Sequence, residues 1–328
     1  MTYRAALIGC GKIGTEFADD PRIKGVYTHA GAYVACRKTE LVAVCDTDPA
    51  KAARCGKRWE VPAVYTDVAH LLAEQSPDIV SICTPDATHA DILLAILQTT
   101  GVRAVLAEKP LALEVHQAEN LVRLAQERDV LLAVNYSRRY SKGHSRIRQV
   151  IRSGGIGDIQ KISGLYTKGV LHNGSHWFDL ARWLIGEVRK VQGLNAGREP
   201  GADPTLDAWL MFDNGTTGFL QGCRAEAFSV FEMDIVGTQG RVRLVDSGHR
   251  IELFRVTESP YYSGYSSLHK SHEQDGVLDN TLLHAVEDLV SCLEQGGQPR
   301  CSGMDGLAAL RIASAVVSSA QDGVQIDL

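Results

Sequence analysis

Residues 5–14 read AALIGCGKIG, a short apolar run that leads directly into a glycine-rich turn. Gly-x-Gly-x-x-Gly alone is a common pattern, but directly after a strand it is typical of a dinucleotide-binding βαβ unit. Its glycines allow a tight turn and let the backbone approach a pyrophosphate, which the N–H groups of the next helix bind. The predicted phosphate-binding loop consists of Gly9, Cys10, Gly11, Lys12, Ile13 and Gly14.

Length and composition indicate a globular protein with two domains. The chain has 328 residues, more than one ordinary hydrophobic core holds. It is 45% hydrophobic and 22% charged, as is usual for globular proteins. A net charge of −5 gives no basic surface for nucleic acid or for an anionic membrane, and no apolar run approaches the roughly 20 residues of a membrane span. We therefore expect neither partner.

The cysteines predict a reducing compartment and no metal site. None of the eight forms a Cys-x-x-Cys pair, which argues against zinc. Cys10, Cys45 and Cys83 lie in or beside predicted buried strands, where free cysteine behaves as a small hydrophobe. The first residues run straight into a strand, so we expect no signal peptide. Together these features predict a cytoplasmic protein.

Up to about residue 135, short apolar runs alternate with helical patterns. The predicted strands are Ala5–Ile8, Leu41–Cys45, Ile79–Cys83, Ala104–Ala107 and Leu131–Val134, with a short sixth at Val64–Tyr65. The predicted helices are Pro49–Arg58, Asp67–Glu74, Ala87–Gln98 and Glu114–Arg128. Such alternation predicts an α/β fold with a doubly wound parallel sheet, that is, a Rossmann domain over residues 1–135.

Beyond about residue 155 the pattern predicts an α+β domain with a large, mostly antiparallel open sheet. The predicted strands are Asp158–Gly169, Val188–Leu194, Asp207–Phe212, Thr216–Gly222, Phe228–Val236 and Arg241–Val245. The predicted helices are Ser175–Ile185, Leu278–Glu294 and Asp305–Gln321. Residues 247–274 are predicted to be rich in loops. This second domain, 136–328, is expected to bind the substrate and to mediate assembly, with its last helix able to pack on the first domain.

Asp46, at the end of the second predicted strand, predicts NAD rather than NADP as the cofactor. An acid here binds the adenine ribose hydroxyls and repels a 2′-phosphate, and neither Thr47 nor Asp48 offsets that charge. Gly14 and Asp46 are 32 positions apart, against roughly 20 in the usual unit. We therefore predict an insertion at Asp19–Thr28, which is either a lid over the cofactor or a tolerated surface loop.

Two further segments reach the carboxyl edge of the predicted sheet, where such folds bind ligands. Pro85 cannot continue a central strand, so the chain turns there, directly after Thr84. His89, in the first turn of the next helix, either contacts the cofactor or substrate or caps locally. Glu108-Lys109-Pro110 closes the next apolar run and brings a lysine to the same edge.

In this order and spacing, these motifs resemble the Gfo/Idh/MocA family of sugar and cyclitol oxidoreductases. The resemblance rests on Gly9–Gly14, Asp46, Thr84-Pro85 with His89, Glu108–Pro110, Asn135–Tyr140, Gly154–Ile159, the His176–Leu184 helix and Ser302–Gly323. It implies bound NAD(P), hydride transfer at one hydroxyl or carbonyl of a sugar-like ring, and a Lys–Pro peptide that is often cis. It also implies a second-domain sheet that often mediates dimers or tetramers, so we expect a homodimer or homotetramer.

Hydride transfer from an alcohol needs a base for the hydroxyl proton and a group that stabilises the developing alkoxide. His176 is the candidate base, in the first turn of a helix that Asn173 or Ser175 can cap, because a helix N-terminus keeps imidazole neutral. Asp179 either orients the ring or caps the helix. Lys109 is the candidate that polarises the substrate oxygen. Without the resemblance, His176 would be interpreted as a half-buried interface histidine.

One position departs from the family pattern. Many of its dehydrogenases carry an aspartate four residues before the histidine, whereas this chain has His172, followed by Asn173. His172 either relays protons, binds substrate or replaces the acid in part, which leaves a ketone-reductase direction open. Tyr136, Arg138 and Arg139 follow the last Rossmann strand and either contact the ligands or support the fold.

The sequence therefore predicts an NAD-dependent oxidoreductase acting on a secondary hydroxyl, or the matching ketone, of a sugar, nucleotide-sugar or cyclitol. The predicted substrate contacts are Lys109, Tyr136, Arg139, His172, Asn173 and His176, and Glu108 and Lys109 are also assigned to the cofactor site. Two other functions stay open, a redox-neutral enzyme that cleaves glycosides with bound NAD and a non-catalytic NAD(P)-sensing regulator. Lys109 and His176 argue against the regulator.

Overall fold

The computed structural model describes residues 2–194 and 203–328. The chain folds into two compact units, Met1–Tyr140 with Asp279–Leu307 and Ser141–Leu278 with Ala308–Leu328. The predicted domains, 1–135 and 136–328, differ from these units at residues 136–140 and 279–307.

The first unit is built on a six-stranded parallel sheet, so the predicted Rossmann fold is confirmed. Its strands are β1 (Tyr3–Ile8), β2 (Thr39–Cys45), β3 (Ala63–Tyr65), β4 (Ile79–Ile82), β5 (Ala104–Ala107) and β6 (Leu131–Val134). Their order is β3-β2-β1-β4-β5-β6, with every neighbouring pair parallel. The central strands are buried on both faces, which explains their continuous apolar sequences.

Helices follow the strands in the alternation that the sequence predicts. They are α1 (His29–Ala35), α2 (Pro49–Trp59), α3 (Val68–Gln75), α4 (His89–Gln98) and α5 (Val115–Glu127). Local signals fix their ends, as in α2, where the Asp48 side chain accepts hydrogen bonds from two backbone N–H groups and Pro49 occupies the first turn. The carboxyl ends of the strands thus meet the amino ends of the helices at one edge of the sheet.

The predicted insertion lies inside what would be the first Rossmann helix. The N–H groups of His29 and Ala30 donate to the carbonyl oxygens of Ile13 and Gly14. These partners are sixteen positions apart, whereas an α-helical bond spans four, so the residues between them are looped out of the helical hydrogen-bond ladder.

The looped-out segment is packed against its own unit. Asp19 forms an ion pair with Arg58, and the N–H of Val26 donates to Asn280 Oδ1 at 2.8 Å. The rings of Phe17 and Tyr27 meet edge to face. These contacts favour the interpretation as a surface loop over that as a lid.

The second unit is built on a nine-stranded sheet, and the predicted α+β class is confirmed. Its elements up to residue 245 are α6 (Lys142–Arg152), β7 (Ile159–Tyr166), α7 (Ser175–Leu184), β8 (Val188–Leu194), β9 (Asp207–Phe212), β10 (Thr217–Gly222), β11 (Phe231–Gly237) and β12 (Gly240–Val245). After these come β13 (Arg250–Glu258), β14 (Ser266–Gln274), α8 (Thr281–Gln295), α9 (Gly303–Asp322) and β15 (Ile326–Asp327). The strand order is β14-β13-β12-β11-β7-β10-β9-β8-β15, and only β7 and β10 pair in parallel.

The two faces of this sheet differ. Alternate residues such as Leu210, Phe212 and Leu220 are buried in one core with side chains of α6, α7 and the second half of α9. The opposite face keeps Trp209 and Phe219, a cross-strand pair, partly exposed. The sheet is therefore covered on one side within its own unit.

The prediction of a loop-rich segment at 247–274 is wrong. Strands β13 and β14 form a long antiparallel hairpin there, joined by Ser259–Tyr265. Most positions of β14 and the outer half of β13 are exposed on both faces. Because neither face is buried, the sequence lacks the apolar–polar alternation by which strands are recognised.

The helices near the end of the chain complete both units. Helix α8 belongs to the first unit, and residues 303–307 of α9 group with it as well. Across residues 2–194 and 203–328, no helix combines the length and the apolar character that crossing a membrane requires.

Gly164 of β7 sets how closely Trp177 of α7 packs on the sheet. A Cβ at Gly164 would overlap the indole nitrogen of Trp177, which donates to the carbonyl oxygen of Glu232 at 3.2 Å. We expect Gly164→Ala to lower the free energy of unfolding by about 1–3 kcal/mol, measured by urea titration. Gln160→Ala, at an exposed position of the same strand, should change it by less than about 0.5 kcal/mol. Equal stability of Gly164→Ala and wild type would contradict this contact.

Candidate cofactor and active site

The glycine loop after β1 has the geometry of a phosphate cradle. Gly9 adopts φ +97°, and a Cβ there would lie 2.5 Å from the carbonyl carbon of Cys83. A Cβ on Gly14 would overlap the carbonyl oxygen of Gly9, so the turn closes only without side chains at these positions. A Cβ on Gly11, in contrast, would meet nothing within 4 Å. Open space therefore adjoins the backbone at the point where a pyrophosphate would approach.

A cavity of about 480 Å³ lies beside this loop at the carboxyl edge of the sheet. Its lining comes from the ends of β1, β2 and β4, the loops after them and the first turns of α2, α3 and α4. The predicted cofactor contacts found in the lining are Gly9, Gly11, Lys12, Asp46, Thr84 and Pro85. The glycine loop, Asp46 and Thr84-Pro85 thus meet at one cavity of a size that is ordinary for cofactor sites, whereas His89, Glu108 and Lys109 are outside its lining.

Asp46 is held in this cavity by backbone donors. Its Oδ2 accepts from the N–H of Cys10 at 2.8 Å, and its Oδ1 accepts from the N–H of Asp48 at 2.9 Å. Each carboxylate oxygen can accept a further hydrogen bond, so two ribose hydroxyls can still bind. Burial and the nearby Asp46 charge raise the pKa of Cys45 to about 11, which leaves that thiol neutral at pH 7.

Glu108, at the end of β5, is the centre of a buried polar network. Its Oε1 accepts from Asn135 Nδ2 at 2.6 Å and lies 3.0 Å from His29 Nε2. His29 Nδ1 lies 2.8 Å from the hydroxyl of Ser81, which in turn is 2.7 Å from the hydroxyl of Tyr33. The network joins α1 to the ends of three parallel strands.

This network keeps Glu108 ionised. Burial opposes ionisation, but the hydrogen bonds of His29 and Asn135 and the charge of Lys109 outweigh it and hold the pKa of Glu108 below its usual value. Lys109 itself is 6% exposed, and its peptide bond to Pro110 is cis, as the family resemblance implied. A cation and an ionised acid are thus fixed side by side at the strand end.

Asn135 carries an acceptor that the described part of the chain leaves unsatisfied. Its side chain is 4% exposed, and its Oδ1 is buried without a hydrogen-bond partner there. Buried polar atoms are usually paired. An orphaned acceptor beside Glu108 therefore fits a site completed by a ligand that donates a hydrogen bond, such as the carboxamide of nicotinamide.

Two residues that the sequence predicted as ligand contacts, His89 and Arg139, bind other groups of the protein. His89 is 1% exposed, with Nδ1 2.6 Å from the carbonyl oxygen of Pro110 and Nε2 2.8 Å from that of Thr84. Arg139 is 4% exposed, and its guanidinium lies 3.0 Å from Asp305. His89 therefore links the loops after β4 and β5, and Arg139 stabilises the first unit. Tyr136 and Arg138 are also largely buried.

In the second unit, His172, Asn173 and His176 lie on one continuous helical segment. A π-helical turn, Gly169–Gly174, runs into α7 without a break, because Gly174 is itself helical. His172 is exposed on that turn, and Asn173 and His176 are half-buried. The prediction that Asn173 or Ser175 caps the helix is wrong, since the segment begins earlier and the α7 N-cap, Gly174, has no side chain to cap with.

Sequence reasoning missed His29 as a member of the site. No motif marks this residue, because the looped-out segment moves it away from the glycine loop along the chain. The signal that would have found it is its place in the first helical turn once that segment is removed. Within residues 2–194 and 203–328, no group of three or more His, Cys, Asp or Glu side chains is placed to hold a metal ion.

Comparisons with known proteins agree with this geometry. A family model described as an oxidoreductase family with an NAD-binding Rossmann fold matches residues 3–136, and the model of its C-terminal alpha/beta domain matches residues 156–328. D-apiose dehydrogenase of Paraburkholderia graminis is 24% identical, over 99% of this chain and 90% of that protein. Inositol 2-dehydrogenase of Rhizobium meliloti is 24% identical over the full length of both.

A solved structure shows the same fold. It is an oxidoreductase from Agrobacterium radiobacter in complex with NAD+, L-tartaric acid and magnesium, with a TM-score of 0.81 at 22% identity. The alignment covers 100% of this chain and 98% of that one.

The carboxylate of Asp46 should decide between NAD and NADP. We expect wild-type protein to bind NAD more tightly than NADP, and Asp46→Asn to lose about tenfold or more in NAD affinity, as for a hydrogen bond to a charged group. The asparagine retains an acceptor for the Cys10 N–H, so the loop should keep its shape. Fluorescence titration with both cofactors measures this, with Thr47→Ala as the neighbouring control. Equal or tighter NADP binding by wild type would contradict the assignment.

Proposed function

Because the chain belongs to the Gfo/Idh/MocA oxidoreductase family, we propose that it transfers a hydride between NAD and a secondary hydroxyl or ketone of a sugar, nucleotide-sugar or cyclitol. The observation that carries this proposal is the buried Lys109 beside ionised Glu108, at the sheet edge where the glycine loop and Asp46 open onto a cavity. The names of the relatives, an apiose and an inositol dehydrogenase, support the substrate class.

The residues of the first unit fit NAD. The glycine loop would hold the pyrophosphate, Asp46 the adenine ribose, and Thr84 and Pro85 the wall of the same cavity. Asn135 Oδ1, a buried acceptor that none of the described residues satisfies, suits the carboxamide. When bound, NAD supplies the hydride acceptor, or NADH the donor. His89 contributes to the cofactor site indirectly, because it ties the loop after β4, which borders the cavity, to the loop after β5.

Lys109 is the group proposed to bind the oxygen of the reacting hydroxyl or ketone. An ammonium held near an alcohol oxygen lowers the cost of the developing alkoxide, and it does so more strongly where water is excluded. The buried lysine meets that requirement, and ionised Glu108 beside it favours its charged form. In the reductive direction the same cation polarises the ketone.

His176 is the group proposed to transfer the proton of the substrate hydroxyl. We propose that its imidazole takes the hydroxyl proton during oxidation and returns it during reduction. His172 and Asn173, on the preceding turn, are proposed to contact the substrate, together with Tyr136. We leave Arg139 out of this set, because Asp305 and the carbonyl oxygen of Arg300 engage its guanidinium.

Removal of either group should lower turnover severely, and removal of His176 should spare cofactor binding. We expect His176→Ala to lower kcat by about 10² to 10⁴, with a residual rate that rises at high pH, where solvent base substitutes. Lys109→Ala should be at least as damaging, because pH cannot restore the lost charge. NADH formation across a panel of sugars, cyclitols and nucleotide-sugars measures this, and stoichiometric release of NADH distinguishes net oxidation from redox-neutral glycoside cleavage.

Cofactor affinity and folding are the controls for these variants. His176→Ala should bind NAD as wild type does and should unfold at the wild-type urea concentration. Lys109→Ala should still unfold in one cooperative transition but at a lower urea concentration, because Glu108 loses a compensating charge. A His176→Ala enzyme that keeps more than about a tenth of the wild-type kcat, well above the expected range, would overturn the assignment of the base. No turnover by wild type across the panel would favour an NAD-sensing regulator.

We further propose that the protein is a cytoplasmic homodimer or homotetramer. Cys10, Cys45 and Cys83 are buried as small apolar side chains, which suits a reducing compartment. The sheet face that carries Trp209 and Phe219 is partly exposed, and apolar area of this kind is typical of an interface. Assembly through this face would cover it.

Light scattering tests the proposed assembly. We expect a dimer or tetramer at micromolar concentration, and we expect Phe219→Glu to shift it towards monomer, because the substitution buries an unpaired charge. Leu268→Glu, at an exposed apolar position of the edge strand β14, is the control and should leave the assembly unchanged. A wild-type monomer would refute the proposal.

A further inference from the structure

The helical segment that carries His172 and His176 begins at Gly169, and its first N–H groups have no acceptors within the helix. Four successive N–H groups, those of residues 169–172, are instead bound by one tripeptide, residues 203–205. We call this tripeptide the brace. It lies more than thirty positions away along the chain, in the same unit.

The first two bonds of the brace are made by uncharged groups. The N–H of Gly169 donates to Thr205 Oγ1 at 3.1 Å, and Thr205 is buried. The N–H of Val170 donates to the carbonyl oxygen of Pro204 at 3.0 Å. These bonds position the start of the π-helical turn.

The other two bonds are made by one carboxylate. Asp203 accepts from the N–H of Leu171 through Oδ1 at 2.7 Å and from the N–H of His172 through Oδ2 at 2.9 Å. Hydrogen bonds to an ionised acceptor are the strong ones, and a negative charge is stabilised at a helix N-terminus.

Gly169 is adapted to this contact. A Cβ there would overlap the Asp203 carboxylate, and the residue adopts φ +79°, directly after Lys168 at φ +70°. Two left-handed residues therefore turn the chain so that its N–H groups face the carboxylate. Such a backbone costs energy for Lys168, and the brace compensates for that cost.

We propose that Asp203 is a positioning residue for proton transfer by His176, an inference that rests on the function proposed above. His172 and His176 are four residues apart and share one face of the segment. By fixing the N–H of His172, the carboxylate fixes the turn from which that face projects. Asp203 thus brings a negative charge to the backbone at position 172, about one turn before His176.

Three variants of the full chain test the proposal. Asp203→Ala removes both acceptors, and Asp203→Asn keeps one acceptor but no charge. We expect kcat to fall about 10- to 100-fold in Asp203→Asn, as for a misplaced catalytic group, while the NAD dissociation constant stays within twofold. Asp207→Asn is the matched control, because Asp207 also accepts a backbone N–H, that of Gly222 at 2.7 Å, and it should retain kcat within twofold.

Asp203→Glu provides a rescue test. It keeps a carboxylate that can accept from the N–H groups of Leu171 and His172, so it should show at least threefold higher kcat than Asp203→Asn. No recovery, or a loss confined to KM with kcat unchanged, would overturn the positioning role. The rescue keeps the test decisive even where Asp203→Ala fails to fold.

Hydrogen exchange separates this proposal from the proposed function. The amides of Leu171 and His172 should exchange at least tenfold faster in Asp203→Asn than in wild type, independently of any catalytic activity. Unchanged exchange would show that the brace does not hold the helix, and faster exchange with unchanged kcat would make it purely structural. A His176→Ala enzyme with full activity would instead overturn the proposed base, and the exchange result would stand on its own.

Discussion

The largely buried carboxylate of Glu108, with 13% of its side chain exposed, is the constraint on which the site in the first unit depends. A charge at this depth is tolerated only if its partners are in place, and they come from separate elements, His29 from α1 and Asn135 from the end of β6. Lys109 is the next residue along the chain. The same hydrogen bonds that satisfy the acid therefore fix the backbone from which the lysine projects. Packing of the sheet and placement of the cation thus depend on the same contacts.

Most of the fold could be predicted because its decisive elements are local in sequence. Buried parallel strands are continuous apolar runs, so β1, β2, β4, β5 and β6 were predicted to within about two residues. The hairpin of β13 and β14 could not be, since a strand that is exposed on both faces has no apolar pattern. Its pairing depends on backbone hydrogen bonds, which every residue but proline can make.

The site, like the fold, has one part that the sequence predicted and one part that it did not. Asp46, Thr84 and Lys109 follow apolar runs, and the topology alone brings strand ends to one edge of the sheet. The sequence could therefore place all three at that edge, where Asp46 and Thr84 line the cavity. The role of His29 depends on a partner 79 positions away, and that of Asp203 on one 31 positions away. Neither pair follows from periodicity or from a motif spacing, and both required the three-dimensional structure.

The segment looped out between Gly14 and His29 has a consequence for how such chains are recognised and altered. Its two ends are joined by successive backbone hydrogen bonds of one helix. The number of residues in the segment therefore does not change the structure on either side of it. The entropy of closing a longer or shorter loop changes only slowly with length. The number of residues between the glycine loop and Asp46 therefore measures the length of the chain and not a distance in space. Residues can be inserted or removed at this junction, by evolution or by design, without disturbing the edge of the sheet that faces the ligand.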